Sequence, residues 1–204
     1  MLRGNEAGQT VVLLGRDGVA QGAISVADTV RPISRSVIGQ IRSLGIQPLL
    51  LSGDTAAVAA RIGNEVGISD VRAGLLPADK SRQITELDRE SPVAMVGDGI
   101  NDAPALAAAR VGIAMGAGGS AAAIEAADVA LMSDDLTQIP RAITLARSTR
   151  SIILQNITFA LVAKLAFLIL TVGGFTSLWL AVLADVGASL LVTLNALRLM
   201  RESR

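Results

Sequence analysis

The 204-residue chain contains neither cysteine nor histidine. Without cysteine there is no disulfide framework and no thiolate to hold a soft metal. Without histidine there is no imidazole base near neutral pH. Aromatic residues make up only 2% of the chain, which argues against the stacking platforms that bind single-stranded nucleic acid. The 18 Lys and Arg balance the 18 Asp and Glu, so no overall charge points to nucleic acid or to an anionic surface, and no nucleic-acid partner is expected. The opening stretch MLRGNEAGQTVV is polar where a secretory leader would be apolar, so no signal peptide is expected. What the chain has in excess is apolar surface: 51% of its residues are hydrophobic, and part of it is expected to live in lipid.

The composition changes near residue 151. Before that point, strand-like and helix-like runs alternate. TVVLLGRDG and VAQGAISVAD read as two short strands joined by a Gly turn. Residues 32–44 read as a helix with Pro in its first turn. IQPLLLSGD reads as a buried strand, 55–66 as an Ala-rich helix that Gly67 would end, VRAGLL as a strand, and 78–90 as a charged helix. PVAMVGDG, VGIAMG and VALMSDD add three strands, and 135–150 a helix. Alternation of this kind implies an α/β domain built on a parallel sheet with helices on both faces, with its ligand at the carboxyl ends of the strands.

After residue 151 come two apolar runs, about 152–172 and 177–198, broken by GGFTS. Each is long enough to cross a hydrocarbon core of about 30 Å. Arg141, Arg147 and Arg150 precede the first run, and Arg198, Arg201 and Arg204 follow the second. That distribution places both ends and the α/β domain in the cytoplasm, with Trp179 near the opposite interface. The expectation is an integral, multi-pass protein of the inner membrane, in contact with membrane lipid.

Three strand ends carry polar chemistry. LLLSGD delivers Ser52, Gly53 and Asp54; LLPADK delivers Lys80; and AMVGDGIND delivers Asp98, Asn101 and Asp102. A hard cation such as Mg²⁺ takes one or two carboxylates together with phosphate and water. A Ser hydroxyl and loop N–H groups can hold phosphate oxygens, and a Lys ammonium can neutralise a transferring phosphoryl group. SGD alone is a common turn, and ADK alone a common helix start. Two acids, an Asn and two Gly directly after an apolar strand are harder to assign to a plain turn.

With these stretches in this order, the chain resembles the P-type ATPases, cation pumps of the haloacid dehalogenase-like superfamily. MVGDGINDAPALAAARVGIAMG resembles their hinge motif, LSGD and GLLPADK fall in the required order, and EAADVALMSDDL is similar to their phosphorylation domain. The resemblance runs from about residue 10 to the end of the chain. It implies a partial haloacid dehalogenase-like, Rossmann-like domain, with Mg²⁺ on Asp98 and Asp102, Lys80 on the phosphoryl group, Ser52 in place of the family's frequent Thr, and ATP as substrate. It also implies three segments: 1–27, the end of a nucleotide-binding domain with the re-entry strand; 28–150, the later part of the phosphorylation domain; and 151–204, two transmembrane helices.

The family's nucleophile, the Asp of an Asp-Lys-Thr-Gly-Thr segment, has no counterpart here. Asp28 follows an apolar strand, but ADTVRP lacks the Lys-Thr-Gly that should come next, so Asp28 reads as a cap or a solvated strand end.

Two charges interrupt the apolar runs. Lys164 and Asp185 each lie about ten residues from the hairpin tip, roughly 15 Å deep at 1.5 Å per residue. A carboxylate in mid-membrane costs about 2.5–3.5 kcal/mol on insertion scales and is a functional candidate with a nearby partner; a plain ion pair locking the two helices is the bland alternative. LADVGASLLVTLNALRLMR resembles the last helix of the zinc, cadmium and lead class of these pumps, marked by an Asp-x-Gly that Asp185 and Gly187 match. NITFALVAKLAFLI, with Asn156 and Lys164, resembles the helix before it. By that resemblance Asp185 is an oxygen ligand for a divalent heavy-metal ion, and Lys164 a built-in counter-ion. The class's Cys-Pro-Cys ligands belong to an earlier helix.

The expectation is therefore a C-terminal portion of a zinc, cadmium or lead efflux ATPase, with the rest of the pump as its partner. The alternative is a truncated, non-catalytic Mg²⁺-binding membrane protein that regulates a complete pump. Because the nucleophile segment is missing, the isolated chain should form no aspartyl phosphate. Incubation with radiolabelled ATP should leave no acid-stable label on it, and a labelled band would contradict this reading.

Overall fold

The computed structural model describes residues 10–17, 19–26, 29–97, 100–116, 121–175 and 177–199. Asp28 lies outside them. Strands β1 (Thr10–Arg16) and β2 (Val19–Val26) form an antiparallel hairpin, with a register shift between Leu14 and Gly15. Apolar residues on both strands, among them Val12, Leu14, Val19 and Ile24, stay more than half exposed.

The remaining strands pair in parallel. β3 (Leu49–Leu51) and β4 (Asp70–Arg72) are joined through helix α2 (Ala56–Val66), and α1 (Ser34–Ser43) precedes them. Gly67 ends α2 with φ at 85°, a left-handed conformation that any other residue would adopt only with strain. Helix α3 (Pro77–Glu90) starts with Pro at its first position, and the Asp79 carboxylate accepts the Leu76 N–H at 3.2 Å. β5 (Ala94–Gly97), β6 (Val111–Met115) and β7 (Val129–Leu131) form a second parallel sheet in that order, with α4 (Ala103–Ala108) after β5 and α5 (Ala121–Ala126) after β6.

The core gathers Ile84 of α3, Met95 of β5, Ala105 and Leu106 of α4, Ala114 of β6 and Ala123 of α5. Leu51 of β3 packs on the same cluster, so the two parallel groups share one apolar centre. Full burial of a side chain such as Leu106 contributes about 1.5–3 kcal/mol. The strands that end on Leu51 and on Gly97 are thereby held on common ground. Arg31 closes the periphery: its guanidinium donates to the Asp134 carboxylate at 2.7 Å and to the Asp134 carbonyl at 2.9 Å.

The chain divides into two compact units, Met1–Gln138 and Ile139–Arg204. The helix expected over 135–150 and the apolar run expected from 152 are a single helix, α6 (Gln138–Val172), of 35 residues. The residue 150 boundary expected from composition falls inside it. Pro140 lies in the first turn, where its missing N–H is harmless, and no Gly or Pro follows until Gly173. Thr144 and Thr149 turn their hydroxyls back onto the Pro140 and Leu145 carbonyls, each at 2.8 Å, which keeps polar side chains compatible with a continuous helix. α6 is long and apolar enough to cross a membrane. α7 (Leu178–Leu197) follows, 20 residues long. On both helices large apolar side chains point outward, Leu161, Val162, Ile169, Leu183 and Val186 among them.

Asp88, near the end of α3, ties that helix to the entries of β5 and β6. Its carboxylate accepts the Val93 N–H at 2.9 Å and the Arg110 guanidinium at 2.9 and 3.2 Å. The Arg110 hydrogen bond, then the Val93 N–H, holds its carboxyl below the usual value of about 3.9. The unfolded chain thus takes up this proton at higher pH than the folded one. Stability from the contact is present above about pH 4 and is lost as pH falls through the lower folded value. Asp88→Asn should flatten the acid limb of a thermal-unfolding series between pH 3 and 5; an unchanged limb would show the contact to be inert.

Candidate functional site

Each of the three polar loops leaves the carboxyl end of a parallel strand. After β3, the Ser52 hydroxyl donates to the Asp54 carboxylate at 2.9 Å and accepts the Asp54 N–H at 3.1 Å, closing a tight local turn. Main-chain bonds fasten this turn to the loop after β4: Ser52 N–H to the Arg72 carbonyl at 2.9 Å, Leu75 N–H to the Ser52 carbonyl at 3.0 Å, and Gly74 N–H to the Asp54 carbonyl at 2.8 Å. Gly53 runs close beneath Leu75; a Cβ there would meet the Leu75 carbonyl oxygen at 3.3 Å.

That second loop leads into α3, which carries Lys80. The Lys80 ammonium donates to Asp102 Oδ1 at 2.8 Å, with the two side chains only 15% and 17% exposed. Asp102 ends the 3₁₀ turn Ile100–Asp102 that follows β5. The structure therefore joins Lys80 to Asp102 directly, and joins Ser52 and Asp54 to the loop that feeds the Lys80 helix. Asn101 is exposed on the same 3₁₀ turn. Asp98 lies outside the described residues. Among the described residues no three acidic side chains converge.

Gly97 is the residue whose role was hardest to see in the sequence. A Cβ on it would lie 2.9 Å from the Asp102 Cβ and 3.0 Å from Asp102 Oδ2. The missing side chain is what lets the Asp102 carboxylate fold back against the strand end and meet Lys80. The sequence signal was present, since Gly97 opens GDG, but it reads as a turn residue rather than as the floor beneath an acid five positions later.

The chemistry of this donor set suits a hard cation beside a phosphoryl group. The strand end offers carboxylate oxygen, an amide and main-chain carbonyls, with neither thiolate nor imidazole. Lys80 brings a positive charge to the same place.

In the second unit, Lys164 of α6 and Asp185 of α7 line one cavity of about 420 Å³ with Ala163, Phe167, Ala188 and Ser189. Among the described residues no ion pair within 4.0 Å joins the two charges. Gly187 sits on the same helix, and a Cβ there would meet open space. Its matching of the Asp-x-Gly pattern therefore corresponds to no close approach within this unit. A polar group that sequence reading left unpaired lies further along the same two helices: Asn195 of α7 donates to Asn156 Oδ1 of α6 at 2.9 Å. Its signal was a polar residue inside an apolar run, at helical spacing from Asp185 and Val192.

A Ser–Asp turn after one parallel strand, a Lys on the helix after the next, and an acid after the third are the layout of a phosphoryl-handling α/β domain. The family model of the haloacid dehalogenase-like hydrolases matches residues 2–110, and the chain belongs to that family. Over nearly its whole length it is homologous to heavy-metal-transporting P-type ATPases. It is 50% identical over 95% of its length to a probable cadmium-transporting ATPase of Staphylococcus aureus (strain MRSA252), covering 27% of that protein. It is 51% identical over 96% of its length to a zinc/cadmium/lead-transporting P-type ATPase of Escherichia coli (strain K12), covering 26% of it. A crystal structure of a zinc-transporting PIB-type ATPase in its E2.Pi state superposes on 98% of the chain with a TM-score of 0.87 and 48% identity, while the chain covers 32% of that structure. The chain thus corresponds to a part of such a pump and spans about a quarter of the length of the curated relatives it matches.

Gly97→Ala should push the Asp102 side chain off the strand end and break its contact with Lys80. Overpacking of this kind costs roughly 1–3 kcal/mol. The melting temperature of the chain in detergent should fall accordingly, and Lys80→Met should add little to the loss in the double variant. Additive losses would separate Gly97 from the ion pair.

Proposed function

We propose that the chain supplies the later part of the phosphorylation domain and a pair of transmembrane helices to an ATP-driven pump that exports zinc, cadmium or lead. The observation that carries this reading is the about 50% identity across both units to cadmium and zinc transporters, together with a Lys and an Asp lining one cavity in an apolar helix pair.

In this reading the Ser52 hydroxyl and the N–H groups of the Gly53–Asp54 turn hold phosphate oxygens. Lys80 leaves its contact with Asp102 in part and neutralises charge on the transferring phosphoryl group. Asp98 and Asp102 would hold Mg²⁺, which supplies charge neutralisation on the phosphate when bound, and Asn101, exposed on the same 3₁₀ turn as Asp102, would contribute an amide to the site. The nucleophilic aspartate and the nucleotide site come from the rest of the pump. In the second unit, Asp185 serves as an oxygen ligand for the transported ion. Lys164 compensates Asp185 when the ion has left, so that no bare carboxylate remains in a low-dielectric setting.

The outward apolar faces of α6 and α7 support two membrane spans, because water would otherwise wet them. Arg141, Arg147 and Arg150 at one end and Arg198 at the other support a cytoplasmic location for both ends and for the α/β domain, in the inner membrane.

In a pump carrying this chain, Asp185→Ala should abolish zinc-, cadmium- and lead-stimulated ATP hydrolysis while phosphorylation by inorganic phosphate persists. Asp98→Ala should reduce phosphoenzyme from either direction by about 10²–10³, the usual effect of removing one electrostatic stabiliser. Undiminished metal stimulation in the first variant, or normal phosphoenzyme in the second, would refute the corresponding role.

A further inference from the structure

The hydrogen bonds between α6 and α7 include a cluster around Asn195. Its amide donates to Asn156 Oδ1 at 2.9 Å and, at 3.4 Å, to Gln155 Oε1, and its own Oδ1 accepts Arg198 at 3.4 Å. Asn156 returns the contact: its amide donates to the Val192 main-chain carbonyl at 3.4 Å. Val192 is also a wall residue of the cavity that Lys164 and Asp185 line. The two asparagines therefore stand at one end of that cavity. On α6, Asn156 continues the stripe of Ala160, Ala163 and Phe167 at spacings of four, three and four residues. On α7, Asn195 continues the stripe of Asp185, Ala188 and Val192 at spacings of three, four and three.

The facing stripes are otherwise made largely of small and apolar side chains, whose contacts lack the directional preference of a hydrogen bond. An apolar helix pair in lipid has no hydrophobic force to select one register, and interhelical hydrogen bonds from Asn and Gln are the groups that can. A displacement of α7 by one turn, about 5.4 Å, would take Asn195 out of bonding distance of Asn156 and move Asp185 past Lys164 by the same amount. We propose that Asn156 and Asn195 form a clamp that sets the axial register of the two helices, and so are positioning residues that hold Lys164 and Asp185 on opposite walls of one cavity. The asparagines act through the two charges and bind no ion themselves. The functional consequence rests on the transport reading above; the clamp does not.

The chain has no cysteine, so spin labels can be placed without background. Cysteines introduced at Leu165 and Val186, both exposed on the outer faces beside the two charges, would carry labels in the full chain reconstituted in lipid nanodiscs. The parent should give one narrow distance. Asn156→Leu and Asn195→Leu should each broaden or shift it, and the double variant should be disturbed at least as much but by less than the sum, because the bond between the two asparagines is already lost in each single variant. An unaltered distance in either single variant, with helix content intact by circular dichroism, would overturn the clamp.

In a pump carrying the chain, the same variants should raise the zinc concentration for half-maximal ATPase stimulation by a common factor, about three- to tenfold for one interhelical hydrogen bond. Phosphorylation by inorganic phosphate should be unchanged. A large rise in Asn156→Leu alone would make Asn156 an ion ligand and overturn the positioning role. A parent pump with no metal stimulation would count against the transport reading only, since the label distance decides the clamp by itself.

Discussion

A charge taken out of water must meet an opposite charge or a set of dipoles, and the α/β unit of this protein is organised by that constraint. In the α/β unit it is met by Lys80 and Asp102, 2.8 Å apart and largely shielded. The parallel sheets, the apolar cluster around Leu106 and the absent side chain at Gly97 all serve to bring an ammonium from one helix to a carboxylate after a different strand. Removing either partner alone would strand the other, which in fully buried pairs costs about 3–5 kcal/mol and here less, because about a sixth of each side chain stays wet. In the pair each group keeps the other compensated.

The helical unit arranges its two charges differently. Lys164 and Asp185 share a cavity without a direct ion pair among the described residues. Space is left between a positive and a negative group, and a mobile cation can compete for the negative one only where such space exists. The asparagine cluster at one end of the cavity uses neutral donors and acceptors, which carry far smaller desolvation penalties than ions and so suit a fixed structural contact. Charged groups and neutral hydrogen-bonding groups are thereby separated along the same pair of helices.

Much of the α/β unit was legible from residue order. Apolar runs such as PLLL and VAMV, each leading to Gly and Asp, read as parallel strands ending in polar loops, although β3 is only partly buried and Ala94 and Val96 of β5 stay exposed. Gly67 at the end of α2 and Pro77 at the start of α3 sit where their backbone chemistry places them. The continuity of α6 was not legible. The change of composition near residue 151 suggested a break, but hydropathy changes along a helix need not interrupt its hydrogen bonding, and 141–172 contains neither Gly nor Pro.

By itself the sequence determined which residues could do chemistry: oxygen donors and ammonium groups but no thiol or imidazole, polar loops at strand ends, and two isolated charges in apolar runs. These follow from local composition and period, which need no knowledge of distant neighbours. Only the tertiary structure decided which of them meet. Lys80 lies 22 positions before Asp102, and Asn156 lies 39 before Asn195. Such pairings depend on how sheets twist, how helices choose a register, and whether a missing Cβ leaves room, and none of these is encoded within one turn of chain.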